Sequence, residues 1–411
     1  LKRVRIILTV LLLLATVGVD AQVTTASMAG KVTDASNEPI IGATVQAVHQ
    51  PSGSRYGTVT NVDGRYSIQG MRTGGPYRVE ISYIGYQTVI YKDITLQLGE
   101  VYNLNVEMSE SSELLNEVIV TAAKTKFTAE KTGATTNISS AQMTQLPTVN
   151  RSISDIARLS PYANGMSFAG GDGRSTNFTI DGANFNNNFG LSSNLPGGGN
   201  PVSIEAIDEI QIVISPFDVR QTNFIGGGIN AITKSGTNTY KGTAYIYHQN
   251  ENMRGDAIDR ETILGAREKD QSTTYGFTIG GPIIKNKLFF FANGELQNTP
   301  AIANRWRASE DGVANADAYI SRATAADLQK VSDIAKERYG YNTGSFSSFP
   351  SDNKNTKLLA RIDWNINNNH RLALRYNYTK NTVWNAPNAS SMDGGTRMSG
   401  SRTSVSYTHL R

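Results

Sequence analysis

Residues able to carry covalent or metal chemistry are scarce. The 411-residue chain has four histidines and no cysteine. His49, His248, His370 and His409 lie far apart, and none belongs to a His-Glu-x-x-His motif. A zinc hydrolase therefore lacks its ligand set. Without cysteine there is no disulfide scaffold, no thiolate metal site and no lipid anchor on sulfur. Two glycine runs, Gly197-Gly198-Gly199 and Gly226-Gly227-Gly228, lack the lysine of a phosphate-binding loop. No catalytic residue, metal or cofactor is expected. The sequence pI of 9.0 invites a nucleic-acid partner, but the net charge is only +4 and no basic cluster follows residue 21, so nucleic acid is set aside.

What remains is β-rich, with 38 glycines and 18% charged residues. Residues 202–238 organise the chain. Ile210, Ile212 and Ile214 share one strand face at period two. The three glycines at 226–228 then lead into a second short strand, 229–234. Such a run suits a backbone needing positive φ or close approach to another wall, and locally it also fits a tight turn between core strands. Upstream, Phe178-Thr179-Ile180-Asp181-Gly182 reads as a strand ending in a turn. Two short helices precede it: Ser139 with Gln142, then Ser152 with Asp155, each supply a capping-box pair.

Residues 1–21 read as a secretory signal, with a basic start, an apolar run at 6–14 and Val19-Asp20-Ala21 as a small-residue cleavage site. Between 24 and 108, short β-forming runs alternate with turns such as Asn61-Val62-Asp63-Gly64, which argues for a small β-sandwich. A polar linker over 109–124 encloses Glu117-Val118-Ile119-Val120-Thr121. This run of β-formers is either one more edge strand or an extended segment for a partner's sheet edge.

Beyond 239, side chains alternate over long runs. Tyr275, Phe277 and Ile279 oppose Thr274, Gly276 and Thr278. Leu358, Ala360, Ile362 and Trp364 oppose Lys357, Arg361 and Asp363. Leu372, Leu374, Tyr376 and Tyr378 oppose Arg371, Arg375 and Asn377. Apolar side chains out and polar ones in, over about nine or ten residues, is the pattern of a transmembrane β-strand. Short connections (282–287, 365–370) alternate with long ones (251–272, 298–355), as periplasmic turns alternate with extracellular loops. The second long loop predicts its own helix, capped by Thr324 with Asp327, striped by Leu328, Val331, Ile334 and Ala335, and closed by Gly340.

Several segments carry a resemblance. Those reading GKVTD, PIIGATV, GTVTNVDGRYSI and YRVEISYIGYQT resemble the carboxypeptidase regulatory-like domain that precedes many Bacteroidetes TonB-dependent receptors. IDG, IEAIDEIQIV and GGGINAITKSGTN resemble the plug of Oar-like TonB-dependent outer-membrane receptors, and GFTIGGPIIKNKLFFFANGE resembles their early barrel hairpin. The resemblance implies a signal peptide (1–21), a non-catalytic sandwich (24–108), a linker (109–124), a plug (125–238) and a barrel start (239–411). The fold class is thus a small β-sandwich, an α/β plug domain and the first strands of a transmembrane antiparallel β-barrel. With about six strands where such transporters need about 22, the barrel is expected to be incomplete.

By the same resemblance, Glu117, Val118, Ile119, Val120 and Thr121 form a TonB box. The partners implied are TonB with the inner-membrane energising complex, outer-membrane lipid and an extracellular ligand: a glycan, a peptide or a metal chelate. In the loop after the IDG turn, Asn184, Phe185, Asn187 and Phe189 offer amide hydrogen bonds and stacking surface for that ligand. The expected function is energised uptake into the periplasm. The alternatives are an adhesin or structural barrel and a metallopeptidase carrying the sandwich, the last opposed by the scattered histidines.

Overall fold

A computed structural model describes residues 23–110, 118–121, 134–186, 195, 200–214, 221, 225–262, 271–302, 307–344, 350–385 and 401–410, less a few short gaps within them. The expected signal segment and Glu117 lie outside the described residues, and so do Asn187 and Phe189.

The first unit is a sandwich of β1 Ala26–Asp34, β2 Thr44–His49, β3 Ser54–Val59, β4 Arg65–Met71, β5 Gly74–Ser82, β6 Val89–Leu96, β7 Val101–Asn103 and β8 Val106–Met108. One sheet runs β4-β1-β7, with β8 also on β1; the other runs β3-β2-β5-β6. The alternation of buried and exposed positions along β2, β4 and β5 puts Val45, Ala47, Tyr66, Ile68, Tyr77, Val79 and Ile81 between the sheets. The 118–121 run adds to the second sheet. Strand β9, Val118–Thr121, pairs parallel with β6, from Val89↔Val118 to Lys92↔Thr121.

The middle unit is a five-stranded sheet with two short helices. Its strands are β10 Ala134–Ser139, β11 Asn177–Ile180, β12 Ala183–Asn184, β13 Ile207–Ile214 and β14 Gly227–Thr233, in the order β10-β13-β14-β11-β12. Helix α1, Ser140–Gln145, starts where the Gln142 Oε1 accepts the Ser139 N–H at 2.9 Å. Helix α2, Ile153–Ala157, starts where the Ser152 Oγ accepts the Asp155 N–H at 3.1 Å. Asp181 and Gly182 both hold positive φ (49° and 79°), which makes the β11–β12 connection a turn whose twist matches the strands. The glycine run serves both anticipated purposes. Gly226 has φ 108°, and a Cβ on Gly227 would stand 2.7 Å from the Phe168 ring.

The third unit is a six-stranded antiparallel meander: β15 Lys241–Gln249, β16 Ser272–Ile284, β17 Leu288–Asn298, β18 Lys354–Asn365, β19 Arg371–Asn385 and β20 Ser401–Leu410. The alternation holds. Tyr275, Phe277, Ile279, Leu358, Ile362, Trp364, Leu372 and Leu374 are exposed on one face, while Thr278, Lys357, Asp363, Asn377 and Thr379 are buried on the other. Phe291 and Leu359 also point inward, because there the wall meets the middle unit's apolar core. Helix α3, Ala325–Tyr339, has the expected Thr324 cap and a Gly340 C-cap at φ 63°, but Val331 and Ile334 of its stripe stay exposed. Among the described residues, no helix is long and apolar enough to cross a membrane.

Candidate functional site

The polar inner face of the meander is the seat of the middle unit, and it holds that unit at two places. The first centres on Asp181. Its positive φ turns the carboxylate back across the end of β14, where Oδ1 accepts the Thr233 N–H at 3.0 Å and Oδ2 accepts the Thr233 hydroxyl at 2.6 Å. From the wall, the Arg361 guanidinium donates to the Thr233 carbonyl at 2.6 Å and lies 3.6 Å from Asp181, while Arg375 lies 3.3 Å from Asp181. Asp363 on β18 binds Arg361 through both oxygens, at 2.8 and 3.0 Å. Period-two spacing puts Arg361 and Asp363 on one face of β18, and neighbouring β19 supplies Arg375 beside them.

A third unit enters this cluster. Arg72, at the end of β4 in the sandwich, reaches Asp363 at 3.4 Å and donates to the Ser235 hydroxyl at 3.3 Å. Charges this deep hold only because each is paired. Beside them lies a cavity of about 930 Å³, bounded by the sandwich, the middle unit and the wall, and lined by Arg72, Asp181, Asp208, Lys234, Arg361 and Arg371. Burial pushes the Asp208 carboxyl above the usual carboxylate range and Asp181 adds to this, against the pull of Lys234 and Arg361.

The second hold is mostly hydrogen-bonded. Ser203, just before β13, donates to Glu295 on β17 at 2.7 Å; Tyr245 donates to the same oxygen at 2.8 Å, and Lys357 binds the other at 2.7 Å. Thr379 and Asn377 donate to the Pro201 carbonyl. At its margin Arg151 pairs with Glu205 at 2.6 Å and stacks 3.9 Å over Tyr247.

The expected ligand residues fare differently. Asn184 sits in β12, paired with Thr179. Phe185 is a correction: it is 5% exposed within the middle unit's core, and its N–H bonds the Phe178 carbonyl at 2.8 Å. An aromatic ring next to a two-residue strand is drawn under the sheet, where burying it gains more than display among asparagines. Of the 117–121 run, 118–121 appear as β9 on the sandwich edge. Among the described residues, no group of histidines and carboxylates could hold a metal.

Arg72, Asp181, Arg361, Asp363 and Arg375 form a site that the sequence reading did not single out. Its signal was there: charged residues facing inward on strands whose other face is apolar.

Comparisons with known proteins fit this architecture. The carboxypeptidase regulatory-like domain family matches residues 27–109, and the outer membrane beta barrel domain family matches 232–309. The TonB-dependent transporter Oar of Myxococcus xanthus is 25% identical over 376 residues. The chain is an Oar homologue. The match covers 85% of the chain and 33% of that transporter, so the chain spans about a third of its relative's length.

Solved structures similar to this Oar homologue include the Escherichia coli outer membrane transporter YddB, with 15% identity, 61% of this chain, 33% of that one and a TM-score of 0.43. The Pseudomonas aeruginosa ferric enterobactin receptor PfeA gives 14% identity, 69% and 39% coverage and a TM-score of 0.42. The barrel domain and the homology to Oar locate the protein in the outer membrane of a Gram-negative cell.

Proposed function

We propose that this chain belongs to a TonB-dependent outer-membrane transporter that takes a ligand from outside into the periplasm, with the middle unit (125–238) as its plug. The observation that carries this reading is the seat. An α/β unit rests on the polar inner wall of an amphipathic sheet, held at two clusters of ion pairs and hydrogen bonds besides its apolar contact with Phe291 and Leu359. Polar pairs inside a wet lumen can be exchanged for water at modest net cost, whereas a continuous apolar core cannot. Such a seat holds a plug at rest and releases it under force.

The force enters at 117–121, the proposed TonB box, where a periplasmic partner adds a strand by main-chain hydrogen bonds. TonB and its inner-membrane complex are that partner. The ligand is a glycan, a peptide or a metal chelate, with Asn184, Asn187 and Phe189 as its proposed contacts. Phe185, buried in the core, anchors the loop that carries them.

The test measures accumulation of three labelled probes, an oligopeptide, an oligosaccharide and a ferric chelate, in cells expressing the full-length protein. Uptake of one probe is expected, and it should stop when residues 117–121 are deleted or the proton gradient is collapsed. Uptake that survives the deletion removes the energised reading and leaves a passive barrel or adhesin.

A further inference from the structure

The carboxypeptidase regulatory-like sandwich has no task in the account so far. We propose that it is a detachable lid on the periplasmic face of the plug, and that it is the first part to move when force is applied to residues 118–121. The proposal rests on the transporter reading above.

Three observations converge. The first is position. The wall's short turns mark its periplasmic end, and the sandwich sits there. Ser54 exchanges a hydrogen bond with Asn365 at 3.1 Å, Arg371 donates to the Arg55 carbonyl at 2.6 Å and lies 3.9 Å over the Tyr56 ring, and the Asn238 N–H reaches the Pro51 carbonyl at 2.8 Å.

The second is closure. Leu98 of the sandwich is fully buried against Ile232 of the plug, with Val23 from the chain just before β1 beside them. Its N–H donates to Glu209 at 3.1 Å, and its carbonyl accepts from Gln211 and from Asn137. Glu209 and Gln211 lie on the face of β13 opposite Ile210 and Ile212, with Asn137 of β10 paired to Gln211, so the lid covers a polar surface that would otherwise meet the periplasm. Arg72 carries the same lid into the Asp181 cluster.

The third is linkage. Strand β9 is the last strand of the sandwich's own sheet, in the order β3-β2-β5-β6-β9, and among the described strands it is paired on one edge only. A partner strand added to its outer edge pulls on the sandwich through the β6–β9 ladder. Lifting the lid withdraws Arg72 from Asp363 and opens the cavity beside Asp181 to water.

These 411 residues add no native thiol to the readout, and the protein without an introduced cysteine sets the background. In cells expressing the full-length protein, Leu98→Cys is labelled with a periplasm-permeant biotin-maleimide. Labelling should run at least about fivefold faster in energised cells with TonB than in cells without it or treated with an uncoupler, because reaction of a buried thiol follows the open population. Joining Ser54→Cys to Asn365→Cys with a bifunctional reagent should abolish that acceleration. Ser235→Cys, on the plug side of the Arg72 contact, gives the same readout if Leu98→Cys perturbs folding. Equal rates with and without energy at both positions overturn the lid. Equal rates while deletion of 117–121 still stops uptake overturn it alone and leave transport standing.

Discussion

The two holds between plug and wall differ in what keeps them shut. At Ser203 a single hydroxyl meets a carboxylate that already has two partners on the wall, Lys357 and Tyr245. Withdrawing the plug leaves Glu295 paired. At Asp181 the plug supplies the charge that the wall arginines need, and the sandwich supplies Arg72 to Asp363. Withdrawing the plug there takes the Asp181 carboxylate from both arginines and the Thr233 carbonyl from Arg361. The Ser203 hold is a catch that can open and close freely. The Asp181 hold is a lock whose parts come from three domains, so its state depends on all of them.

The sharpest way to break this contrast is Asp181→Ala. It removes a carboxylate shared by Arg361 and Arg375 and both Thr233 bonds; breaking a buried ion pair costs about 3–5 kcal/mol, and the loss here should lie at the lower end because Arg361 keeps Asp363. The plug should become protease-sensitive in outer-membrane preparations while the barrel stays intact. An unchanged digestion pattern would mean that the cluster does not hold the plug. Gly227→Ala comes next. Its Cβ would press on the Phe168 ring at 2.7 Å, an overpacking worth about 1–3 kcal/mol. This strain falls within the plug, so a lowered plug melting temperature with normal seating is expected.

Ser203→Ala should be milder, about 1 kcal/mol for one lost hydrogen bond whose acceptor keeps other partners. If Ser203→Ala frees the plug as readily as Asp181→Ala, the distinction between catch and lock is wrong.

The same contrast shows what the amino-acid sequence could and could not reveal. The lipid face of the wall was legible because Tyr275, Phe277 and Ile279 alternate with small polar neighbours, and period two is a local property. The helix caps at Ser139, Ser152 and Thr324 were legible for the same reason. Nothing local marks Glu209 and Gln211 as a docking surface; in the structure Leu98, more than a hundred residues earlier, covers them. Strand β6 went unread, and with it the docking site of β9, since a strand interrupted by Lys92 and Asp93 shows no clean alternation. Phe185 misled because asparagines surround it in sequence, whereas its burial is decided by the sheet above it. What sequence concealed in each case was a contact between distant segments, and the three-domain lock is made of such contacts.

The smallest expected effect separates lid from plug by pH. His49 lies at the end of β2 in the sandwich, its Nδ1 2.7 Å from the Ser52 hydroxyl and its ring 4.9 Å from Tyr77. Burial, with Arg72 adding, lowers its pKa from 6.5 to about 3. The folded sandwich therefore keeps the ring neutral where the unfolded chain binds a proton. Its stabilising contribution is complete above pH 6.5 and is lost as pH falls toward 3. Between pH 7.5 and 6 the loss is set by the ordinary histidine value alone and amounts to just under about 1 kcal/mol. The melting temperature of the sandwich should fall by a few degrees over that interval, and His49→Gln should remove the dependence. The plug has no buried histidine, so its own transition should hold steady. A plug that follows the sandwich in pH would show that lid and plug unfold as one cooperative body, and the lid could not then lift alone.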